Sequence, residues 1–447
     1  MMNTHVLLID YHDHPNYPKI AKAVSKWVKQ HPGASEAEVL AYVSETFNPR
    51  SFLRPNAKAA PLAIFGTIGE HIPQGAEGQI YDALKLPVAK RGALMPDAHV
   101  GYALPIGGVV SLERAVSPSF VGYDISCMVQ LSLLDLSVAE FEKHRESLAK
   151  HLYAETSFGL GADFASGKRE HDIEFDPRWG ETRDLKNLHE KAMIQLGSSG
   201  GGNHFADLLT VEFVEDFGDY KAGETAVCLM THSGSRGTGH KLATLFVKRA
   251  ETYTKHVARG IPKGYEWLSL EEDAGKEYWL SMELMGDYAK ANHDLIHEHF
   301  ASAAGLQIKE TVWNRHNYAW LEGDEVIHRK GATPAEVGRL GIIPGTSGTA
   351  SYLVRGLGNE ASLHSSSHGA GRWVSRTQAK KDHDEGAFQR HMKTSDILHF
   401  GLSPDETYQA YKDIEMVMDL QEDVLIKRIA KLTPRVVIMG GQADDGD

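Results

Sequence analysis

The chain has 447 residues, of which 42% are hydrophobic, so it can bury a substantial core in one large α/β unit with additions or in two or three domains. Its net charge of −13 argues against a non-specific nucleic-acid coat protein, which would be basic, although a local basic cleft stays compatible with it. The sequence has no membrane-length apolar run, no signal peptide pattern and only two cysteines, and it predicts a cytoplasmic protein without a disulfide framework or a membrane partner.

The N-terminal segment, residues 1–60, is predicted to form a small helical extension. Apolar residues at helical spacing predict a helix over 17–30. Ser35 and Glu38 then form a capping-box pattern, which predicts the start of a second helix. A linker follows, and residues 61–447 are expected to form one larger domain.

In this larger domain, glycine-rich turns alternate with short apolar runs, which predicts a mixed α/β fold with stacked β-sheets surrounded by helices. Strands are predicted at 109–112, 128–133 and 225–230, and helices at 137–152, 241–257, 270–301 and 403–429. Capping-box patterns at Ser137 and at Ser403 predict the starts of the first and the last of these helices. Residues 163–182 are expected to form a polar surface loop, and 444–447 a frayed tail. Cys228 falls in a predicted strand and is expected to be inert core.

Several segments place a metal-capable side chain among glycines and other small residues. Asp124 and Cys127, three residues apart, can face one ion, and oxygen plus thiolate suits Mn, Fe, Co or Zn. The alternative is a carboxylate at a strand end followed by a core cysteine. Three glycines directly before Asn203 and His204 predict a close approach of the backbone to a ligand.

Further along the chain, His232 follows a predicted strand, at the kind of position where ligands gather in α/β proteins. His316 fits either a ligand or a hydrogen-bonded core residue. The loop over 343–351 can cradle a nucleotide through N–H and hydroxyl groups. His368 precedes a glycine turn, with Arg372 four residues later as an anion clamp, so His368 is either a covalent nucleophile or a structural histidine.

This inventory suits metal-assisted phosphoryl or nucleotidyl transfer, because it supplies ligands for one or two divalent ions, arginines for anions and a spare histidine. Familiar signatures are absent from the sequence: it has no Walker A motif, dinucleotide fingerprint, His-Glu-x-x-His or paired Cys-x-x-Cys.

Six ordered motifs resemble those of the RtcB family of RNA-splicing ligases over about residues 62–440. The motifs are Met95–Gly101, Gly122–Cys127, Gly202–Phe205, His232–Gly237, His316–Asn317 and His368–Arg372. The resemblance implies a catalytic domain that joins RNA ends bearing a 3′-phosphate or 2′,3′-cyclic phosphate to 5′-hydroxyl ends. It also implies GTP and Mn²⁺ as cofactors and a role in RNA repair or tRNA splicing.

The resemblance also implies roles for individual residues. His368 would attack the α-phosphorus of GTP, GMP would pass to the RNA 3′-phosphate, and the 5′-hydroxyl would displace GMP. Two Mn²⁺ ions, with the thiolate as a candidate bridge, would be held by Asp124, Cys127, His204, His232 and His316. Phosphates would be oriented by Asn203, Arg236 and Arg372. Nucleotide contacts would come from Asn203, Asp207, Thr346, Ser351, His368, Ala370 and Gly371.

The chain departs from the family pattern near the nucleotide, which indicates a divergent paralogue. The loop usually read as Gly-Ser-Met-Gly is Gly345–Gly348, with the sequence Gly-Thr-Ser-Gly, and Asp207 replaces a usual Glu. Met439 stands where the family has a lysine that touches the base, which leaves a preference for GTP over ATP open. Ser126 and Met128 replace the usual Asn and Gly around the metal cysteine.

Three other functions stay open at this point. A capping enzyme would form the same GMP adduct and modify a 3′-phosphate on RNA or DNA without sealing it. A metal-dependent phosphoesterase would use the ions to activate water and would need no nucleotide. A non-catalytic binding protein would not need His368.

Overall fold

The computed structural model describes residues 8, 11, 17–47, 52–159, 164 and 169–441. Its α-helices are α1 (Tyr17–Gln30), α2 (Glu36–Phe47), α3 (Gln74–Leu84), α4 (Pro118–Val121), α5 (Val138–Glu155), α6 (Arg183–Gln195), α7 (Arg236–Val257), α8 (Asp273–Ala304), α9 (Arg376–Asp382), α10 (Glu385–Thr394) and α11 (Ile414–Asp419). Its first strands are β1 (Leu62–Ile64), β2 (Ala89–His99), β3 (Ile106–Glu113), β4 (Ala115–Val116), β5 (Met128–Leu134), β6 (Phe205–Phe213), β7 (Thr225–Ser233) and β8 (Leu268–Ser269). The later strands are β9 (Ile308–Arg315), β10 (Asn317–Glu322), β11 (Glu325–Lys330), β12 (Ala332–Pro334), β13 (Leu340–Ile343), β14 (Ser351–Gly356), β15 (Ser365–Ser367), β16 (Leu398–Phe400) and β17 (Ile426–Met439).

The two helices α1 and α2 form the N-terminal hairpin that the apolar spacing predicts. Ser35 caps α2: its Oγ accepts the backbone N–H of Glu38 at 3.3 Å, and the Glu38 carboxylate accepts the Ser35 N–H at 2.7 Å. The hairpin has a core of its own, made of Leu8, Tyr11, Ile20, Val24, Val39 and Val43. Both predicted helices are confirmed, while the division of the chain into two domains at residue 60 stays a prediction.

The largest sheet, with the strand order β13-β14-β17-β6-β7-β5-β9, is nearly closed into a barrel. Asn314 on β9 bridges its two ends, because its side chain accepts the Ile342 N–H at 2.7 Å and donates to the Ile342 carbonyl at 3.4 Å. Alternate residues of the strands, including Leu131, Cys228 and Leu353, fill the interior. The residues between them pack outward against α5 and α8. Cys228 is therefore buried in the core, as the sequence predicts.

A second sheet, with the order β1-β2-β3-β11-β10, packs against β13 and β14 of the large sheet. Val109 and Ile327 from the second sheet share one apolar cluster with Ile343 and Tyr352 from the large one. The helices α6, α7 and α8 pack against the opposite face of this second sheet and form a separate hydrophobic core there. The predicted mixed α/β fold with stacked sheets and surrounding helices is confirmed.

The helix predicted over 403–429 is wrong. The chain there makes two short 3₁₀ turns, then α11, and then enters β17. Ser403 does not cap a helix, since its Oγ donates to Asp405 Oδ1 at 2.7 Å and accepts no backbone N–H. Arg376 forms ion pairs with both Asp405 and Glu406, so tertiary contacts hold the two carboxylates in a non-helical segment.

The other predicted strands and helices are present, with ends shifted by a few residues. The described part of the predicted surface loop, 169–182, contains two 3₁₀ turns, Asp172–Phe175 and Pro177–Gly180. Residues 163, 165–168 and the predicted tail, 444–447, lie outside the described residues. Among the described residues, no helix has both the length and the apolar character that crossing a membrane requires.

Candidate active site

Most of the side chains predicted to carry chemistry line one cavity of about 880 Å³. The predicted residues in its wall are Asp124, Cys127, Asn203, Asp207, His232, His316, Thr346, Ser351, His368, Ala370, Gly371 and Arg372. His204 and Arg236 are not part of this wall in the described structure, and both are buried behind it. The fold thus brings residues from six separate parts of the chain to one place.

Cys127 lies at the centre of a cluster of metal-capable side chains. Its Sγ is 3.0 Å from His232 Nε2 and 3.5 Å from His204 Nε2, and the three atoms all lie within 4.8 Å of one another. Cys127 directly precedes β5, and His232 lies near the end of the antiparallel neighbour β7. Strand pairing therefore brings together two residues that are far apart in the sequence.

Asp124 and His316 extend this cluster, each through a different histidine. Asp124 Oδ2 lies 3.1 Å from His204 Nε2, and His316 Nε2 lies 3.2 Å from His232 Nε2. All five residues that the family resemblance selects as ligands are therefore neighbours.

Glycines make room for these side chains. A Cβ on Gly200 would overlap His204 Nδ1, and a Cβ on Gly234 would overlap the carboxylate of Asp124. The sequence predicts a close approach of a ligand to the three glycines at 200–202. In the structure, the group that approaches Gly200 is the ring of His204.

Two histidines of the cluster, His232 and His316, are neutral, which leaves each with a lone pair that can bind a metal. Burial lowers the pKa of His232 and of His316 well below the usual value, and neighbouring histidines lower it further. A carbonyl can only accept, so the 3.0 Å contact of His232 Nδ1 with the Asn203 carbonyl places the proton on Nδ1. The His232 Nε2 lone pair therefore points at Cys127 and His316.

The other donors also fit a divalent ion. Burial raises the pKa of Asp124, but contacts with His204 and Cys127 outweigh it, so the carboxyl is ionised. Nδ1 of His204 and Nδ1 of His316 are buried without a hydrogen-bond partner among the described residues. One carboxylate, one thiol and three imidazoles match the donor set of Mn, Fe, Co or Zn.

His368 is held by the buried carboxylate of Asp97. Asp97 Oδ2 accepts the Nδ1–H of His368 at 2.6 Å and its backbone N–H at 3.1 Å. With the proton on Nδ1, the lone pair lies on Nε2, which makes no hydrogen bond to the described residues. The ring lines the cavity with its centroid 5.1 Å from that of His316. This geometry is that of an oriented imidazole nucleophile beside the cluster.

His368 and Lys412 together keep Asp97 ionised. Burial raises the pKa of Asp97, but His368, Lys412 and His99 outweigh burial and leave it below its usual value. The Lys412 ammonium donates to the carbonyls of Pro96 and Ala98, on either side of Asp97, at 3.2 and 2.7 Å. Burial lowers the pKa of Lys412 to about 8, so the amine is charged at neutral pH.

The predicted nucleotide loop is braced by its own side chains. The Gly345 N–H donates to Ser351 Oγ at 2.9 Å, and the Thr346 N–H donates to Thr349 Oγ1 at 2.8 Å. These N–H groups are used within the loop, so its Thr346 and Ser351 side chains form the polar part of the cavity wall.

The two arginines expected at phosphates occupy different places. Arg372 lines the cavity, donates to the Asp405 carbonyl at 2.9 Å and lies 3.5 Å from Glu406. Arg236 lies outside the wall, where Nε donates to Ser198 Oγ at 3.2 Å. Its φ of +58° is in the left-handed region, which is uncommon for a residue other than glycine.

Comparison with known proteins follows the same motifs. A family model described as "tRNA-splicing ligase RtcB" matches residues 79–440. This chain belongs to the RtcB family. It is 30% identical to the tRNA-splicing ligase RtcB of Methanococcus maripaludis, over 83% of this chain and 92% of that protein. It is also 30% identical to the RNA-splicing ligase RtcB of Escherichia coli (strain K12), over 85% of this chain and 98% of that protein. It is 29% identical to the RNA-splicing ligase RtcB of Mycobacterium tuberculosis, over 81% of this chain and 100% of that protein. The protein is therefore an RtcB-family RNA ligase.

Two of the residues that depart from the RtcB-family pattern, Asp207 and Met439, lie on paired strands. Asp207 on β6 pairs with Val437 on β17, two residues before Met439, and both Asp207 and Met439 line the cavity. Burial raises the pKa of Asp207 well above its usual value, and its Oδ1 accepts the Ile438 N–H at 3.3 Å. Met439 packs into an apolar cluster with Phe388. This part of the wall is therefore more apolar than a lysine would make it.

The sequence analysis assigned no role to Asp97 or Lys412. Asp97 lies inside the first RtcB motif, 95–101, so a signal was present in the sequence. Lys412 lies outside the six motifs, in the segment wrongly predicted as helix, and only the fold brings it to Asp97.

Proposed function

We propose that this RtcB-family ligase joins RNA 3′-phosphate or 2′,3′-cyclic phosphate ends to 5′-hydroxyl ends through a His368–GMP intermediate, with GTP and Mn²⁺. Its setting would be RNA repair or tRNA splicing. The observation that carries this proposal is the Asp97–His368 pair at the edge of the Cys127 cluster. The names of the relatives, which are tRNA- and RNA-splicing ligases, support it.

In the first step, His368 Nε2 forms a bond to the α-phosphorus of GTP, and pyrophosphate leaves. Positive charge develops on the imidazole, and the Asp97 carboxylate at Nδ1 stabilises it. Asp97 therefore both selects the tautomer and lowers the barrier. Asn203 and Arg372 would orient phosphates in the cavity, and Arg236 would act from outside its wall.

In the second step, an oxygen of the RNA 3′-phosphate takes GMP from His368, so the P–N bond breaks and a phosphoanhydride forms. A cyclic phosphate is first opened by water to the 3′-phosphate. In the last step, the 5′-hydroxyl attacks the RNA phosphorus, GMP leaves, and the hydroxyl proton passes to solvent. Activation as an anhydride gives the hydroxyl a leaving group to expel.

Two Mn²⁺ ions would be held by Asp124, Cys127, His204, His232 and His316. When bound, they would neutralise charge on the phosphoryl oxygens. The nucleophile is not among these ligands, so metal binding and nucleotide attachment can be separated by substitution.

The test is incubation with Mn²⁺ and α-³²P-labelled GTP, or labelled ATP in parallel, followed by denaturing electrophoresis. We expect an acid-labile label that His368→Ala removes while Mn²⁺ stays bound. Cys127→Ala should lose both metal and label. Loss of Mn²⁺ in His368→Ala, or full activity in Cys127→Ala, would contradict the assigned roles.

The same preparation separates the other candidate activities. Addition of RNA ends yields a joined product if the protein is a ligase, and a stable capped end if it is a capping enzyme. Hydrolysis of the 3′-phosphate without nucleotide, and without a labelled protein, would indicate a phosphoesterase.

A further inference from the structure

Two lysines outside the cavity wall lie side by side, with no carboxylate paired to either in the described part of the chain. The side chains of Lys191 on α6 and Lys241 on α7 are in direct contact, and Arg236 adds a third positive charge nearby. Burial and these two cations lower the pKa of Lys191. Neither lysine forms an ion pair with a carboxylate among the described residues. A Cβ on Gly237 would lie 2.9 Å from Lys191 Nζ, so a glycine leaves space for the ammonium.

Such a pair is unfavourable in isolation, since like charges in contact near a protein surface repel by several kcal/mol. The chain has 60 acidic residues against 47 basic ones, so carboxylates to neutralise the pair are not scarce. Other lysines form ion pairs with carboxylates: Lys90 lies 2.9 Å from Glu113, and Lys290 lies 2.5 Å from Asp294. An anion that binds between Lys191 and Lys241 would remove the repulsion.

The lysine pair borders the active site. Lys241 follows His240, whose ring centroid lies 5.5 Å from that of Tyr123. Tyr123 lines the cavity and is 36% exposed. Lys241 is therefore one residue along α7 from a histidine whose ring lies beside an exposed aromatic ring of the cavity wall. Cations beside a stacking ring are the usual means of binding single-stranded nucleic acid.

We propose that Lys191 and Lys241 bind a backbone phosphate of the RNA substrate where the strand leaves the cavity across Tyr123. This inference rests on the proposed function, since it assumes that RNA ends react at His368. The lysines lie outside the wall that contains His368. They therefore suit a phosphate of a longer chain better than the triphosphate of a nucleotide bound in the cavity.

The experiment compares the wild type with Lys191→Gln/Lys241→Gln and with Lys255→Gln. Lys255 is an exposed lysine on the same helix, 14 residues or about 21 Å from Lys241, so it controls for charge on that helix. Fluorescence anisotropy measures the Kd for a single-stranded RNA with a 3′-phosphate at several salt concentrations. Labelling of His368 by GTP without RNA is measured separately.

We expect the double variant to bind RNA more weakly and to label normally with GTP. The slope of log affinity against log salt should flatten by about one unit, as for the loss of one phosphate contact. Raising salt from about 50 to about 200 mM would then weaken wild-type binding about fourfold more than that of the variant. Lys255→Gln should match the wild type.

An unchanged Kd and slope in the double variant would overturn the inference. So would an equal effect of Lys255→Gln, which would indicate general charge rather than a site. Lost GTP labelling with normal RNA binding would assign the lysines to the nucleotide instead. If the wild type takes no label, the proposed nucleotidyl transfer fails, while the anisotropy data still decide whether the lysines bind RNA.

Discussion

Replacement of Asp97 by Asn tests whether a carboxylate makes His368 a nucleophile. Asp97 Oδ2 accepts two N–H groups of His368, at 2.6 and 3.1 Å. An amide that turns its oxygen to both keeps the contacts but loses the negative charge. An amide that turns its NH₂ to Nδ1 demands the other tautomer, which places the proton on Nε2, where the bond to phosphorus must form.

The expected loss follows from the bond that is weakened. A hydrogen bond to a charged group is worth about 1.5–3 kcal/mol. At 1.36 kcal/mol per factor of ten, Asp97→Asn should slow formation of the His368–GMP adduct about 10- to 150-fold. Single-turnover labelling at saturating GTP and Mn²⁺ measures this rate, and Mn²⁺ binding should be unchanged because Asp97 is not in the ligand cluster. A labelling rate within twofold of the wild type would refute the reasoning.

Three further outcomes are expected from substitutions elsewhere. Gly200→Ala forces a Cβ against His204, and overpacking of about 1–3 kcal/mol should weaken Mn²⁺ binding measurably in a titration while His368 stays in place. Asn314→Ala leaves the buried N–H and carbonyl of Ile342 without their partner at the barrel closure, and should lower the unfolding free energy in urea by about 1–3 kcal/mol. His328 has its pKa lowered from 6.5 to about 4 by burial, so the unfolded chain binds a proton in that window that the folded one does not. This histidine alone should lower stability by up to about 3 kcal/mol as pH drops from 6.5 to 4, and His328→Gln should remove that part of the loss in metal-free protein.

Local patterns predicted those elements whose stability is local. The capping box at Ser35 and the one at Ser137 each form with both reciprocal hydrogen bonds, and the helices after them begin where the pattern places them. The same pattern failed at Ser403, because Asp405 and Glu406 are bound by arginines from another part of the chain. Residues 426–439 pair on both sides within the large sheet, with β14 and β6, which no local spacing reveals.

In the candidate site, too, some residues could be recognised from local sequence patterns and others only from the fold. Gly200 leaves the clearance that His204 needs and Gly234 the clearance that Asp124 needs, and such glycines can be recognised in the sequence. No sequence pattern indicates the role of Lys412, because its ammonium donates to two backbone carbonyls, which residues of any type could provide. Sequence reasoning therefore found residues with a special local environment and missed one whose role depends only on the folded contact.

The two parts of the site are built on different sheets. Cys127 directly precedes β5 and His232 lies on its neighbour β7 in the large sheet, whereas Asp97, which orients His368, belongs to β2 of the second sheet. His316 lies where the chain passes from β9 in the large sheet to β10 in the second, and its ring contacts both His232 and His368. Changes at Cys127 or Asp97 should therefore impair mainly one function, metal binding or nucleotide attachment. A change at His316 is the one that would move the proposed metal ligands and the proposed nucleophile relative to each other.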